Sequence, residues 1–299
     1  MPTGAAADLM PGFAAREIET SGARIHCRIG GAGPPLLLLH GHPQTLATWH
    51  KIAPRLAEHF TVVAADLRGY GDSSKPEGGE RHVNYSKRAM ASDQIEVMRA
   101  LGHTRFAVIG HDRGARVAHR MALDQPQAVE RIVVIDVVPT TTMYARADKA
   151  LATAYFWWFF LIQPEPLPER LIGGDPEFFL RRHIAGQLKT PGATSDAVFA
   201  EYLRCYLDPA TRHAICEDYR AAATIDLEHD EADRDQRVLA PLLALWGAKG
   251  NLHRLFDVLA AWREKARDVT GFPLDCGHTL QEEAPQEMLA ALMAFLKKR

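Results

Sequence analysis

Six short apolar runs most limit how this 299-residue chain can fold. They lie at residues 36–39 (LLLL), 62–65 (VVAA), 106–109 (FAVI), 132–135 (IVVI), 242–246 (LLALW) and 269–273 (VTGFP). Runs this short, apolar at nearly every position rather than every second one, fit strands covered on both faces. Helix-period segments lie between several of them, at 49–58, 87–101, 113–124 and 255–267. This alternation predicts an α/β chain with a mostly parallel central sheet and helices on both faces. Ahead of the first run, residues 17–19 and 24–28 flank Ser21-Gly22 and read as a β-hairpin at a sheet edge.

The rhythm stops after Pro139. Residues 140–230 show no clear buried strand but carry Tyr155, Phe156, Trp157, Trp158, Phe159 and Phe160 in one run and several prolines. The segment is predicted to be a helical insertion, with 195–206 and 211–224 as two of its helices. The chain then divides into a first part of the core (1–139), an inserted helical cap (140–230) and a second part of the core (231–299). A cap over the carboxyl ends of the strands lies where such a sheet builds its ligand site.

Lys+Arg (35) and Asp+Glu (37) nearly cancel, for a net charge of −2. That balance leaves no electrostatic footprint for nucleic acid or an anionic membrane, so an acidic substrate would need a local cation cluster. Residues 1–13 lack the basic-then-apolar order of a signal peptide, and the apolar runs at 36–39 and 155–162 are too short to span a bilayer. Cys27, Cys205, Cys216 and Cys276 show no C-x-x-C spacing, which suits reduced thiols in a cytoplasmic protein and gives no support for a disulfide or metal site.

The chemistry centres on residues 106–116 (FAVIGHDRGAR), a strand, a tight turn and a helix. Gly110-His111-Asp112-Arg113-Gly114 matches the G-x-nucleophile-x-G elbow of the α/β-hydrolase fold, with Asp112 at the nucleophile position. The bland alternative is an aspartate that merely caps the helix. Context favours the elbow. His40-Gly41-His42-Pro43 follows the first buried run, where the backbone N–H groups of His42 and Arg113 would form an oxyanion hole. Asp66-Leu67-Arg68-Gly69-Tyr70-Gly71-Asp72-Ser73 reads as a structural loop, and His40 as a structural histidine. His278 follows the last run, in the chain order nucleophile, acid, histidine. After 242–246 the sequence reads Gly-Ala-Lys-Gly-Asn with no carboxylate, so the acid is expected at the other usual place, Asp136.

A carboxylate nucleophile displaces a leaving group from saturated carbon and becomes an ester, which water activated by His278 then hydrolyses. Arg113 and Arg116, three apart in the first turn, share a helix face where cations oppose the dipole. Two guanidiniums beside a nucleophile predict a seat for a substrate carboxylate.

With these residues in view, the chain resembles the haloacetate (fluoroacetate) dehalogenases of the α/β-hydrolase superfamily. The resemblance runs through HGHPQT, DLRGYGDSSKP, GHDRGARVAHRMALD, IDVVPT, QPEPLPE, CEDYRAAATIDLEHD and the late GH with EEAP. It implies a nucleophile Asp112 with partners Asp136 and His278, and a carboxylate clamp of Arg113 and Arg116. It further implies a halide pocket of Trp158 and Tyr219, with Trp157 where the family usually has histidine. The implied substrate is a small 2-haloacid, turned over without metal or cofactor, and the implied assembly is a homodimer. Replacing that histidine with indole changes volume and donor geometry, which favours chloride or bromide over fluoride as leaving group. An epoxide hydrolase, which wants two cap tyrosines, is the alternative; Tyr144, Tyr155, Tyr202, Tyr206 and Tyr219 supply candidates.

Overall fold

In the computed structural model, which describes residues 9–297, an eight-stranded sheet runs through the middle of the chain. The hairpin β1 (Ala14–Glu19) and β2 (Arg24–Gly30) forms one edge. The remaining strands are β3 (Pro35–Leu39), β4 (Thr61–Ala65), β5 (Phe106–His111), β6 (Val129–Ile135), β7 (Leu242–Gly247) and β8 (Val269–Leu274). Their spatial order is β1-β2-β4-β3-β5-β6-β7-β8, antiparallel in the first two pairings and parallel in the rest. The start of the chain up to residue 8, part of the segment read above as lacking a signal sequence, lies outside the described residues.

The continuous apolar runs have a simple structural use. Successive residues of a strand point to opposite faces, so each run of β3 to β7 feeds two cores at once. The 269–273 run differs from expectation, because β8 is the edge strand and leaves Thr270, Phe272 and Pro273 exposed. Leu37, Leu39, Val63, Val108, Ile132 and Val134 pack into one core. Their neighbours Leu36, Leu38, Val62, Ile109, Val133 and Ile135 pack into the other. Placing a charge at any of these positions would bury it unpaired in one of two apolar layers.

Two expected helices differ in detail. Residues 49–58 form a 3₁₀ turn (Leu46–Trp49) and a separate helix at Ala53–Leu56, because Pro54 has no N–H and is tolerated only in a helix's first turn. Residues 255–267 are split: one helix ends at Leu255, Phe256 is extended, and Asp257 starts another by accepting from the Ala260 N–H at 2.9 Å. Between β6 and β7 the described chain is helical throughout its regular elements, from Thr140–Ala145 to Ile225–Ala232. Ser195 and Asp208 cap the helices Asp196–Tyr206 and Pro209–Ala223. Among the described residues no helix is long and apolar enough to cross a membrane, and the four cysteines are buried and unpaired.

The parallel order puts the carboxyl ends of β3, β5, β6 and β8 along one rim of the sheet. His42, Asp112, Asp136 and His278 follow those strand ends.

Candidate active site

Asp112 sits between β5 and the helix Arg113–Asp124 with φ 44° and ψ −111°, a conformation that costs a non-glycine residue about 1–3 kcal/mol. Its carboxylate makes no capping bond to that helix, so the bland reading of Asp112 does not describe what the side chain does. The flanking glycines allow the turn. A Cβ on Gly110 would lie 2.5 Å from the Ala115 backbone, and one on Gly114 would lie 2.3 Å from the Leu39 carbonyl oxygen. Gly41 is equally constrained, since its Cβ would fall 2.5 Å from Asp112 Cβ.

His278 Nδ1 bonds to Asp136 Oδ2 at 2.6 Å. Asp136 also has a positive φ (50°), and its Oδ1 accepts from the Gly247 N–H at 2.9 Å. The end of β7, which offers no carboxylate, thus contributes a backbone donor to the carboxylate at the end of β6. Burial opposes charge on His278, but the hydrogen bond and charge of Asp136 and the charge of Asp112 raise its pKa above the ordinary imidazole value. Burial likewise opposes ionisation of Asp112, yet His278, Arg113, His111 and Arg116 together hold it below the usual carboxylate value.

The His42 N–H donates to Asp112 Oδ2 at 3.2 Å. The Arg113 N–H, the other expected oxyanion donor, makes no hydrogen bond among the described residues; as the first N–H of its helix it has no intrahelical acceptor. His40 is structural as expected: Nε2 accepts from the Leu67 N–H at 3.1 Å, and Nδ1 donates to the Gly41 carbonyl at 2.9 Å. Asp66 fastens its loop by accepting from the N–H groups of Leu46 and Asp72.

Arg113 and Arg116 are both buried rather than solvated. They differ in what they leave free. Arg113 donates Nε and Nη2 to the Asp218 carboxylate at 2.8 Å each, leaving Nη1 without a partner. Asp218 also accepts from Tyr70 Oη at 2.7 Å and from Lys87 Nζ. Burial pushes its pKa up, but the charges of Arg113 and Lys87 reverse that and hold it well below the usual range. Arg116 donates Nη1 to the Val138 carbonyl and Thr140 Oγ1, both at 3.0 Å; its Nε is unpartnered and its side chain lines a cavity with Asp112 and His278. Burial and the nearby Arg113 push the Arg116 pKa down to about 10, so it remains a cation at neutral pH. The sequence pointed to two equivalent arginines; in the fold Arg113 is largely committed to Asp218 and Arg116 reaches the cavity.

Trp157 and Trp158 line the same cavity. Trp158 lies edge-on to Tyr219, with ring centroids 5.8 Å apart, and under the Arg116 guanidinium at 4.6 Å. Tyr219 is buried beneath Arg113 at 4.2 Å, with no partner for its hydroxyl; burial keeps that hydroxyl protonated. One residue escaped the sequence reading. His183, on the helix Pro176–Gln187, packs 4.5 Å from the Trp157 ring and 4.8 Å from His42, and its Nε2 meets Gln187 Nε2 at 2.6 Å. Burial and the charge of His278 lower its pKa to about 3, so it is neutral. Its only sequence signal is an H-x-x-x-Q spacing that puts both side chains on one helix face.

An aspartate at a strained strand-to-helix turn, backed by a His–Asp pair that bridges the ends of β6 and β8 across β7, has the form of a hydrolase elbow. The chain belongs to the α/β-hydrolase fold family, whose model matches residues 34–285. It is 44% identical over 293 residues to a fluoroacetate dehalogenase from Burkholderia sp, covering 96% of this chain and 95% of that protein. A soluble epoxide hydrolase from Corynebacterium sp. is 34% identical over 92% of this chain and 94% of its own length. A crystal structure from Salmonella enterica, of a protein provisionally named an acyltransferase, superposes with a TM-score of 0.96 at 55% identity and covers 97% of each chain.

Proposed function

We propose that this protein is a hydrolytic dehalogenase converting small 2-haloacids, chloroacetate and bromoacetate above all, to the 2-hydroxyacid and halide. One observation carries the reading: the elbow nucleophile is a carboxylate with two buried arginines in the next turn. The similarity to a fluoroacetate dehalogenase supports it. In this mechanism Arg116, with the free Nη1 edge of Arg113, holds the substrate carboxylate. The Asp112 oxygen not held by His42 attacks the halogen-bearing carbon; the carbon–halogen bond breaks and its electrons leave with the halide. Trp158 Nε1–H, Tyr219 O–H and Trp157 Nε1–H solvate that halide. Water then adds to the Asp112 carboxyl carbon while His278, steadied by Asp136, takes its proton. The N–H groups of His42 and Arg113 hold the oxyanion until the ester C–O bond breaks. His278 returns its proton to the departing alkoxide, giving the hydroxyacid, and the Asp112 carboxyl releases its own proton to solvent as the carboxylate re-forms.

The raised pKa of His278 fits this order. Part of the rise comes from the Asp112 charge, which disappears when the ester forms, so His278 becomes easier to deprotonate at the step that needs a base. Acyl transfer suits the site poorly, since Asp112 attacking an acyl carbon would give an anhydride rather than an ester. A cytoplasmic setting, read from the scattered cysteines, and a homodimer, implied by the resemblance, belong to the same reading.

The test is a folded His278→Ala variant given chloroacetate. Halide should be released once per site, and the intact mass should rise by one carboxymethyl group. A folded variant with neither adduct nor halide would count against the mechanism. A second reading, epoxide opening, is favoured by Tyr155 on the cavity wall, together with the epoxide hydrolase relative. Assaying an epoxide panel beside halide release separates the two.

A further inference from the structure

The site cavity is nearly closed. Its open space is about 10 Å³, room for one water and too little for a two-carbon acid with its halogen. A second small cavity adjoins it on the outer side, lined by Gly186, Lys189, Gly250 and Asn251. The two share Asp136, Tyr155, Trp157, Gln187 and His278. The larger surface depressions share no residue with the site.

The backbone under this shared wall is pinned. The His278 N–H donates to the Gln187 carbonyl at 3.3 Å. The Glu283 carboxylate accepts from the N–H groups of Gly277, Lys189 and Thr190 at 2.8–3.0 Å. What these bonds leave to move is the side chains of Tyr155 and Trp157, and that of Gln187 once it parts from His183 Nε2. At the mouth, Lys189 is exposed, and its Nζ contacts only the Gly186 carbonyl at 3.3 Å, with no carboxylate partner among the described residues. Lys249, next in the chain to Gly250 of the chamber's lining, is by contrast paired with Asp275. In a chain with net charge −2, that free ammonium is a local attraction for anions.

We infer that substrate and products pass through this outer chamber, that rotation of Tyr155, Trp157 and Gln187 opens it, and that Lys189 selects for anionic substrates. The inference rests on the proposed haloacid reading and adds to it the route and the residues that set its selectivity.

Gly186 supplies the test. It lies in a regular helix on the chamber's lining, and a Cβ added there meets nothing within 4 Å, so larger side chains can be placed at the chamber mouth without disturbing the fold. Across Gly186→Ala, Gly186→Leu and Gly186→Trp, kcat/KM for chloroacetate should fall progressively, by ten-fold or more at Trp, and more steeply for 2-chloropropionate. Lys189→Glu should lower kcat/KM for chloroacetate at low salt, with the loss shrinking as salt is added and no loss for neutral chloroacetamide. Stopped-flow tryptophan fluorescence of acetate binding follows the same Gly186 series without turnover. A wild type that releases no halide would therefore overturn the activity while the route is still measured. Gly186→Trp, folded and with unchanged kcat/KM and acetate on-rate, would overturn the route. A Lys189→Glu loss equal for chloroacetate and chloroacetamide would overturn the role of Lys189.

Discussion

The Gly247 N–H donates to one oxygen of Asp136 at 2.9 Å, leaving the other oxygen to bond His278. Two strands therefore place one carboxylate: β6 carries it and the end of β7 orients it. Asp136→Asn keeps the shape but presents an amide where His278 needs an anion to stabilise its charged form. Steady-state turnover is expected to fall on the order of 10²–10⁴-fold, with the first halide still released in a burst. Rapid-quench halide measurement reads this; loss of burst and turnover in equal proportion would contradict the assignment.

The pH profile follows from the two shifts. Asp112 is held below the usual carboxylate value, so ester formation should stay level as pH falls through the ordinary carboxylate range. Ester hydrolysis needs neutral His278, whose pKa is raised in the free protein, so this step should weaken toward acid. Because esterification removes the Asp112 charge, the apparent pKa of hydrolysis should lie below the His278 pKa measured by NMR in the unreacted protein. Single-turnover kinetics across pH, set beside that titration, check the order.

Gly41→Ala should disable the site without substituting any of the proposed reacting groups. Its Cβ would fall 2.5 Å from Asp112 Cβ and 3.1 Å from Oδ2, forcing the nucleophile or the His42 loop to move. A displacement of about 1 Å costs roughly 10²-fold in rate. The expected signature is a lost kcat with near-normal thermal stability, measured by halide release and calorimetry.

Asp218→Asn should be costly to stability. Removing that charge strands Arg113 in the interior and leaves Lys87 only Asp226, at 3.5 Å, a loss of about 3–5 kcal/mol. Tyr70→Phe, which removes a single donor, should cost about 1.5–3 kcal/mol. The Asp218 pKa is depressed in the fold, so its contribution is complete above the unfolded value and is lost as pH falls through the folded one. Denaturant unfolding at neutral and acid pH should show the gap between wild type and Asp218→Asn closing toward acid.

Trp157→His tests the leaving-group pocket. An imidazole is smaller and offers a ring N–H in another place, so the fluoroacetate-to-chloroacetate rate ratio should rise on the order of ten-fold or more. His183, 4.5 Å from that ring, would gain room as well. Ion-selective measurement of both halides decides it; an unchanged ratio would separate Trp157 from leaving-group stabilisation.

Much of the sheet was legible because a strand buried on both faces needs an unbroken apolar run, and such runs are rare enough to count. The elbow, with its Asp112 and two glycines, could be read for a similar reason, since sharp turns demand particular residues at fixed spacing. What escaped is contact across distance. Nothing near Arg113 in sequence shows that Asp218, 105 residues on, takes two of its donors. His183 looks like any polar residue in an amphipathic helix until the fold sets it against Trp157 and His42. Helix interruptions at Pro54 and Asp257 were missed because apolar periodicity carries straight through a local break.

Asp218 has a bearing on engineering. It belongs to the helical insertion, yet Tyr70, Lys87 and Arg113, which it holds, all come from the strand-bearing part of the chain. Anyone grafting a different cap onto this scaffold to reach new substrates would have to carry the acceptor along or retire its three donors with it. A chimera that ignores this would inherit buried cations with no carboxylate, one of them, Arg113, next in the chain to Asp112.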